Sequence, residues 1–196
     1  MCIRDSSYTP LTDAEVVAHF EAVAEASDLP LCIYNNPGTT HFTFSTDLVA
    51  LLSRVPSVVA VKNPAPAPEA APAHLAALRG QVAPGFSLGY STDWNAAGAM
   101  MAGGDAWYSV VGGLFPQPCL AILAAIAAGD LDEARRLNAR LQPLWDLFLQ
   151  FSSLRVIYAA VNILGIAECA PPRPILPLEA AAQSRVAEVL ASLELS

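Results

Sequence analysis

Short apolar runs alternate with longer amphipathic segments over roughly the first 113 residues of the chain. Thr12 and Glu15 have the spacing of a capping box, which predicts a helix that continues to about Ser27. The apolar run Leu29–Tyr34 follows and ends at the breaker residues Asn35–Gly38, which predicts a short buried strand. The same pattern recurs about every 20 to 30 residues. It predicts strands at Ser57–Lys62, Gly85–Gly89 and Ala106–Val111, and helices at 45–54, up to Leu78, and at Asp93–Ala102.

Strands that each precede a helix-length segment are typical of βα units on a parallel sheet. Only four strands are predicted, and beyond Phe115 the pattern is helical, with helices expected at 118–128, 130–150, 152–165 and 178–195. The sequence therefore predicts an α/β fold with a parallel sheet, followed by a helical appendage. Residues 1–7 fit none of these elements, and we exclude them from the predicted fold as a non-native leader.

The composition is acidic and apolar, with 10 Lys+Arg against 18 Asp+Glu, a formal net charge of −8, and 54% hydrophobic residues. Nucleic acids and acidic membrane surfaces are recognised through basic patches, so we expect neither as a partner. The most apolar stretch, Cys119–Ala128, has about half of the roughly 20 residues that span a bilayer. The four cysteines lack the spacing of a metal site or of a disulfide framework, which favours a cytoplasmic protein without a metal.

Lys62 ends an apolar strand that we expect to be buried on both faces, where a charged side chain is costly unless it is paired or functional. Burial favours the neutral amine, and a neutral amine can attack a carbonyl carbon to form a Schiff base. The position at the strand end is also that of an ordinary lysine that reaches solvent or a salt bridge. On the pattern alone, Lys62 is a candidate nucleophile beside that structural interpretation.

Tyr34 holds the equivalent position on the preceding strand, 28 residues before Lys62 (62 − 34 = 28). Neighbouring parallel strands lie about 4.8 Å apart, so both side chains can extend from the carboxyl ends of the strands into one site. A phenol beside an amine can move protons to and from the oxygen of the carbonyl. The alternative is a core tyrosine whose hydroxyl binds a backbone group.

Four motifs in the sequence resemble those of the dihydrodipicolinate synthase and N-acetylneuraminate lyase superfamily. They are YNNPGTT at 34–40, VAVK at 59–62, LGY at 88–90 and GGDAWYSV at 103–110. The resemblance extends from about Tyr8 to the C-terminus and implies a (β/α)8 TIM barrel with a C-terminal helical extension. It implies that this chain contains strands five to eight of the barrel, at 8–129, and the extension, at 130–196, without strands one to four and their Gly-Thr-Thr loop.

The resemblance also assigns residues to the site. It implies that Lys62 forms a Schiff base with pyruvate and that Tyr34 relays protons, which makes these two residues the catalytic pair. Tyr8 aligns with a tyrosine that family members contribute across a dimer interface, as a third catalytic residue. Gly89 and Tyr108 hold positions whose main chain lines the substrate pocket. No cofactor is implied, because the covalent iminium is itself the electron sink.

The residues after the two motifs bear on the substrate. Thr39 stands where synthases that act on aspartate semialdehyde carry an arginine, whose guanidinium binds the carboxylate of the aldehyde. Asn63 replaces a glutamate that is common in those synthases. We therefore favour an aldolase or dehydratase that acts on another 2-oxo acid over the synthase itself, with Thr39 as a substrate-binding residue. The implied partners are a small 2-oxo acid and an aldehyde, and the full-length parent is expected to form a homodimer or homotetramer.

Two other functions fit the pattern. The chain would be a non-catalytic fragment or a subunit-interface module if half of the site is not encoded, and an unrelated α/β binding protein if the motifs are coincidental. A sheet of four strands leaves Leu31–Asn35 and Ala106–Val111 as unpaired edges. We therefore expect the 196-residue chain alone to be inactive and to associate with itself.

Overall fold

A parallel sheet whose strands follow the order of the chain occupies the N-terminal half. The computed structural model describes residues 2–3 and 9–195. Within these residues the sheet has five strands in the order β1-β2-β3-β4-β5, and each strand pairs in parallel with its neighbour. The strands are β1 (Cys2–Ile3), β2 (Leu31–Tyr34), β3 (Val58–Pro64), β4 (Ser87–Ser91) and β5 (Ala106–Trp107). The predicted α/β fold with a parallel sheet is confirmed.

Helices connect successive strands, as the alternating pattern predicted. Thr12 caps the first helix through the predicted capping box, because its hydroxyl accepts from the N–H of Glu15 while the Glu15 carboxylate accepts from the N–H of Thr12 at 2.7 Å. Ser45 caps the third helix by accepting from the N–H of Leu48 at 3.1 Å. The helices of this half are α1 (Asp13–Glu25), α2 (Pro37–Thr40), α3 (Thr46–Leu52), α4 (Ala71–Arg79) and α5 (Asp93–Met101).

One face of the sheet packs against these helices and forms the core of this half. Because side chains alternate between the two faces of a strand, every second residue points into this core. Its strand residues include Leu31, Ile33, Val61, Leu88 and Tyr90, and its helix residues include Val16, Phe20, Leu48, Leu52, Leu75 and Leu78. The residues between them on the strands, including Tyr34 and Lys62, therefore lie on the opposite face.

A β-bulge in β3 decides on which face Lys62 lies. Leu31 pairs with Val58 and Cys32 pairs with Ala60, so the register passes over Val59. The extra residue reverses the alternation of β3 beyond that point, and Lys62 comes to lie opposite Tyr34 on the same face. Val59 itself is 46% exposed. The prediction that this strand is buried on both faces was therefore wrong at Val59.

Two predictions about the edges of the sheet were wrong. The segment excluded from the predicted fold contributes β1, which pairs with β2, so Leu31–Asn35 is not an unpaired edge. At the other edge, β5 ends at Trp107 rather than at residue 111. The reason lies in Ser109, whose hydroxyl accepts from the N–H of Gly112 at 2.8 Å and turns the chain into a short 3-10 helix at Val111–Gly113.

The second half of the chain is helical, as predicted. Its helices are α6 (Pro116–Ala127), α7 (Leu131–Arg140), α8 (Gln142–Phe151), α9 (Ser153–Ile163) and α10 (Ala180–Ser192). The single helix predicted at 130–150 is divided at Leu141, because Pro143 has no N–H to donate to the carbonyl of Ala139 and its ring would clash there. Among the described residues no single helix has the length and apolarity to cross a membrane; α8 and α9 reach that length only as a pair bent by 116°.

The chain divides into two compact units, Met1–Tyr108 and Ser109–Ser196. The resemblance placed the end of the barrel later, at residue 129, and the domain boundaries at 7, 129 and 196 remain predictions. All the predicted site residues that the structure describes lie in the first unit.

Candidate active site

Tyr34, Lys62 and Gly89 form one row across the sheet near the carboxyl ends of three strands. Tyr34 pairs with Lys62 in the β2–β3 register, and Lys62 pairs with Gly89 in the β3–β4 register. The Nζ atom of Lys62 lies 5.0 Å from the centroid of the Tyr34 ring. The structure therefore brings together the amine and the phenol that the sequence singled out.

Tyr108 adds a second aromatic ring to this row. Its ring centroid lies 5.9 Å from Nζ of Lys62, and its hydroxyl lies 3.5 Å from Sγ of Cys32. The resemblance implied a contact of substrate with the main chain of Tyr108. In the structure the N–H of Tyr108 donates to the carbonyl of Tyr90 at 2.7 Å, while the side chain faces the amine.

The Tyr34 hydroxyl is held by a residue of its own motif. Nδ2 of Asn36 donates to the Tyr34 hydroxyl oxygen at 2.9 Å. A phenol oxygen that accepts one hydrogen bond keeps its own proton for donation, so this contact orients Tyr34 as a proton donor. Sequence reasoning missed Asn36; the available signal was the second of two consecutive asparagines directly after the tyrosine.

A pair of buried amides lies behind the row, one residue after Tyr34 and one residue after Lys62. Nδ2 of Asn35 donates to Oδ1 of Asn63 at 2.8 Å, and Oδ1 of Asn35 accepts from the N–H of Phe44 at 3.3 Å. Both asparagines are more than 90% buried. Nδ2 of Asn63 has no hydrogen-bond partner within the described part of the chain. No local pattern in the sequence predicts this pairing, because it depends on the register between two strands.

Within the described residues, no contact joins the other predicted site residues to the amine of Lys62. Thr39 is exposed on α2, and its hydroxyl donates to the carbonyl of Asn36 at 3.3 Å, which is the role of a turn residue. Tyr8 lies outside the described residues.

Lys62 is the one residue of this row with a basic side chain, and it is the only lysine in the sequence. On the helix-facing side of the sheet, burial lowers the pKa of His74 and raises the pKa of Tyr90 to about 12. In residues 2–3 and 9–195, no three His, Cys, Asp or Glu side chains come together as a metal site requires. The chemistry available at this face is that of an amine flanked by phenols: attack on a carbonyl carbon and proton transfer to its oxygen.

Comparisons with known proteins find relatives that match almost the whole chain. The sequence profile of the Dihydrodipicolinate synthetase family matches residues 7–193. A 4-hydroxy-tetrahydrodipicolinate synthase from Alcanivorax borkumensis is 34% identical over 173 residues, which are 88% of this chain and 57% of the relative. A second one, from Exiguobacterium sp., is 30% identical over 180 residues, 91% of this chain and 60% of the relative.

The fold is also similar to that of a solved structure with a related name. The crystal structure of a dihydrodipicolinate synthase from Agrobacterium tumefaciens is 52% identical in sequence and superimposes with a TM-score of 0.93. The superposition covers 98% of this chain and 65% of that chain. In the sequence comparisons above, the chain spans 57% and 60% of the length of the two curated relatives.

Proposed function

The chain belongs to the dihydrodipicolinate synthetase family, and on that premise we propose that it carries the imine-forming part of a lyase that acts on pyruvate or another 2-oxo acid. One observation carries the proposal. The only lysine of the chain and a tyrosine lie side by side on paired strands, with Nζ of Lys62 5.0 Å from the Tyr34 ring centroid. An amine beside a phenol is the arrangement that Schiff-base chemistry requires.

In this proposal the chain is the C-terminal half of a (β/α)8 barrel with a helical extension. Strands β2 to β5 are strands five to eight, β1 pairs with β2 at the place of strand four, and the remaining strands belong to the longer parent enzyme. The share of the relatives that the chain spans supports this, as does the sequential parallel order of the strands, which is the order of a barrel wall. The parent enzyme is a homo-oligomer in the cytoplasm, in which Tyr8 reaches a neighbouring subunit.

The reaction begins at the neutral amine of Lys62. Its nitrogen forms a bond to C2 of the 2-oxo acid, which leaves positive charge on nitrogen and negative charge on oxygen. Tyr34, oriented by Asn36, moves one proton from the nitrogen to the oxygen. A second proton, delivered from solvent through Tyr34, lets the oxygen leave as water, and the nitrogen remains doubly bonded to C2 as a protonated iminium.

The iminium then supplies the electron sink for the lyase step. It accepts the electron pair that is released when a C3–H or C3–C4 bond breaks, and an enamine results. No further cofactor takes part in this step. Thr39 in place of an arginine favours an aldolase or dehydratase whose acceptor lacks the carboxylate of aspartate semialdehyde, with Gly89 and Tyr108 also in contact with substrate.

Borohydride reduction of the imine tests this function. The parent enzyme is incubated with pyruvate and sodium borohydride, and the peptides are mapped by mass spectrometry. Lys62 is the only lysine in these 196 residues, so peptide mapping separates an adduct on the Lys62 peptide from labelling of any amine in the rest of the parent enzyme. We expect a reduced pyruvate adduct on the Lys62 peptide.

Two variants and one shorter protein serve as controls. Lys62→Arg should give no adduct, because a guanidinium stays protonated and forms no imine, and Lys62→Ala should give none either. The 196-residue chain alone should be trapped no more than Lys62→Ala. An adduct that persists in Lys62→Ala overturns the assignment of the nucleophile, and stoichiometric trapping in the short chain overturns the half-barrel.

A further inference from the structure

Gly89 and Tyr108 fit together in a way that a side chain at position 89 would prevent. A Cβ built on Gly89 would lie 2.9 Å from Cδ2 and 3.2 Å from Cζ of Tyr108, and closer still to Cε2. Real Cβ atoms essentially never make such contacts. The ring of Tyr108 therefore lies directly on the backbone of β4, at the residue that pairs with Lys62.

The amine of Lys62 lies near the rings of both Tyr34 and Tyr108. Its Nζ atom is 5.0 Å from the Tyr34 centroid and 5.9 Å from the Tyr108 centroid. Both distances are within the range of about 6 Å over which an aromatic face attracts a cation. The hydroxyl of Tyr108 lies against Sγ of Cys32 at 3.5 Å, on the same face of β2 as Tyr34, which fixes the far end of the ring.

We propose that the ring of Tyr108, seated on Gly89, is a second aromatic wall of the Lys62 site and stabilises the positive charge on its nitrogen. The charge is present whenever the amine is protonated. Under the proposed function, on which this part of the inference rests, it is also that of the protonated iminium formed with a 2-oxo acid. The part of Tyr108 that acts is the face of the ring, whereas the resemblance assigned its main chain.

The chemistry of the iminium explains why such a wall is useful. The neutral amine that attacks the carbonyl carbon and the carbinolamine that follows carry no charge on nitrogen, whereas the iminium carries one positive charge. A wall of two aromatic faces stabilises that charge without an acidic side chain. The carboxylate of an acidic side chain would repel the carboxylate of the substrate. The wall therefore suits an anionic 2-oxo acid.

The first experiment needs no enzyme activity. The 196-residue chain is acetylated with a trace of acetic anhydride, and the rate at Lys62 is measured relative to the α-amino group. Only a neutral amine reacts, so loss of a cation-stabilising face speeds the reaction. We expect Tyr108→Leu to react about 2- to 30-fold faster than the parent, and Tyr108→Phe, which keeps the ring, to stay within about twofold.

Gly89→Ala provides an independent variant, because its Cβ displaces the ring without changing Tyr108. It should react as fast as Tyr108→Leu, and the double variant should be no faster than Tyr108→Leu alone. Gly113→Ala is the matched control, since a Cβ there would meet nothing within 4 Å, and it should react at the parent rate. Circular dichroism of each variant establishes that the helices are retained.

The second experiment measures borohydride trapping of pyruvate in the parent enzyme with the same substitutions. Under alkaline conditions, where a lysine amine is neutral, trapping in Tyr108→Leu should fall about 2- to 30-fold, and Tyr108→Phe should restore it. If Tyr108→Phe behaves like Tyr108→Leu, the hydroxyl acts instead and the proposal is overturned. If Tyr108→Leu matches the parent in both experiments while Lys62 is trapped, the wall is wrong and the function stands. If Lys62 is never trapped but the acetylation pattern holds, the function is wrong and the wall stands.

Discussion

Asn35 donates from Nδ2 to Oδ1 of Asn63 at 2.8 Å, and these two amides directly follow Tyr34 and Lys62 in the sequence. The bond joins β2 to β3 on the face opposite the amine. Both asparagines are more than 90% buried, so the bond is formed away from competing water and is costly to break. It fixes the relative position of the two strands at the level of the site.

Removal of this bond should destabilise the fold. Asn63→Ala leaves Nδ2 of Asn35 buried without an acceptor, and we expect the free energy of unfolding to fall by about 1 to 3 kcal/mol. Urea denaturation of the 196-residue chain measures it. Asn95→Ala is the control, because Asn95 is less buried and donates only at 3.3 Å to the carbonyl of Ala65. Equal urea midpoints for the two variants would contradict a special role of the Asn35–Asn63 pair.

The sequence predicted that Lys62 and Tyr34 lie together but not the groups that position them. Lys62 and Tyr34 each stand at the end of an apolar run, a local signal that needs no knowledge of the partner strand. The bulge at Val59 and the Asn35–Asn63 bond exist only once β2 and β3 are paired. The packing of the Tyr108 ring on the backbone of Gly89 likewise involves residues that are distant in the sequence. Register and bulges arise from tertiary packing, which a local pattern does not contain.

The helix break at Leu141 is a different case, since its cause is local. Pro143 is visible in the sequence, and a proline inside a helical pattern ends or kinks the helix. The β1 strand, in contrast, is two residues long and gains its structure only by pairing with β2. A run that short has no periodicity to detect.

The stability of the chain should depend on pH through His74. Burial lowers the pKa of His74 in the folded protein below its ordinary value of 6.5, and its Nε2 atom is buried without a partner among the described residues. Above about pH 6.5 the imidazole is neutral in both states and contributes no pH dependence. As the pH falls below that value, the unfolded chain takes up a proton that the folded chain resists, so the free energy of unfolding decreases.

The measurement is the urea midpoint at about pH 7.5 and about pH 5. His74→Leu should lose less stability between the two than the parent does, because the group that resists protonation is gone. His19→Leu, at an exposed histidine of α1, is the matched control. A parent and a His74→Leu variant with the same pH dependence would show that His74 titrates alike in both states.

Aspartate semialdehyde should be a poor substrate for the parent enzyme, because Thr39 stands where a cation would bind its carboxylate. Thr39 has no charge to pair with a carboxylate, and its hydroxyl donates to the carbonyl of Asn36. Thr39→Arg should raise kcat/KM for aspartate semialdehyde about tenfold or more, because an arginine binds a carboxylate with two charge-assisted hydrogen bonds. Thr39→Gln, similar in length but uncharged, is the control and should give no such gain. Efficient use of aspartate semialdehyde by the unmodified enzyme would mean that another residue supplies the cation.

Tyr34 and Asn36 should affect proton transfer without preventing the imine from forming. Tyr34→Phe keeps the aromatic face 5.0 Å from Nζ of Lys62 but removes the proton donor. We expect kcat of the parent enzyme to fall by about 100-fold or more, the usual scale of general acid–base catalysis. Borohydride should still trap pyruvate at Lys62 in this variant, more slowly, because the nucleophile is intact.

Asn36→Ala separates the orientation of the phenol from its presence. This variant leaves the Tyr34 hydroxyl in place but removes the donor at 2.9 Å that directs its proton. Its kcat should fall less than that of Tyr34→Phe, and the double variant should be no slower than Tyr34→Phe alone, because Asn36 acts only through the hydroxyl. Independent, multiplicative losses in the double variant would show that Asn36 contacts the reaction by another route. A Tyr34→Phe enzyme with unchanged kcat would instead assign proton transfer to a different group.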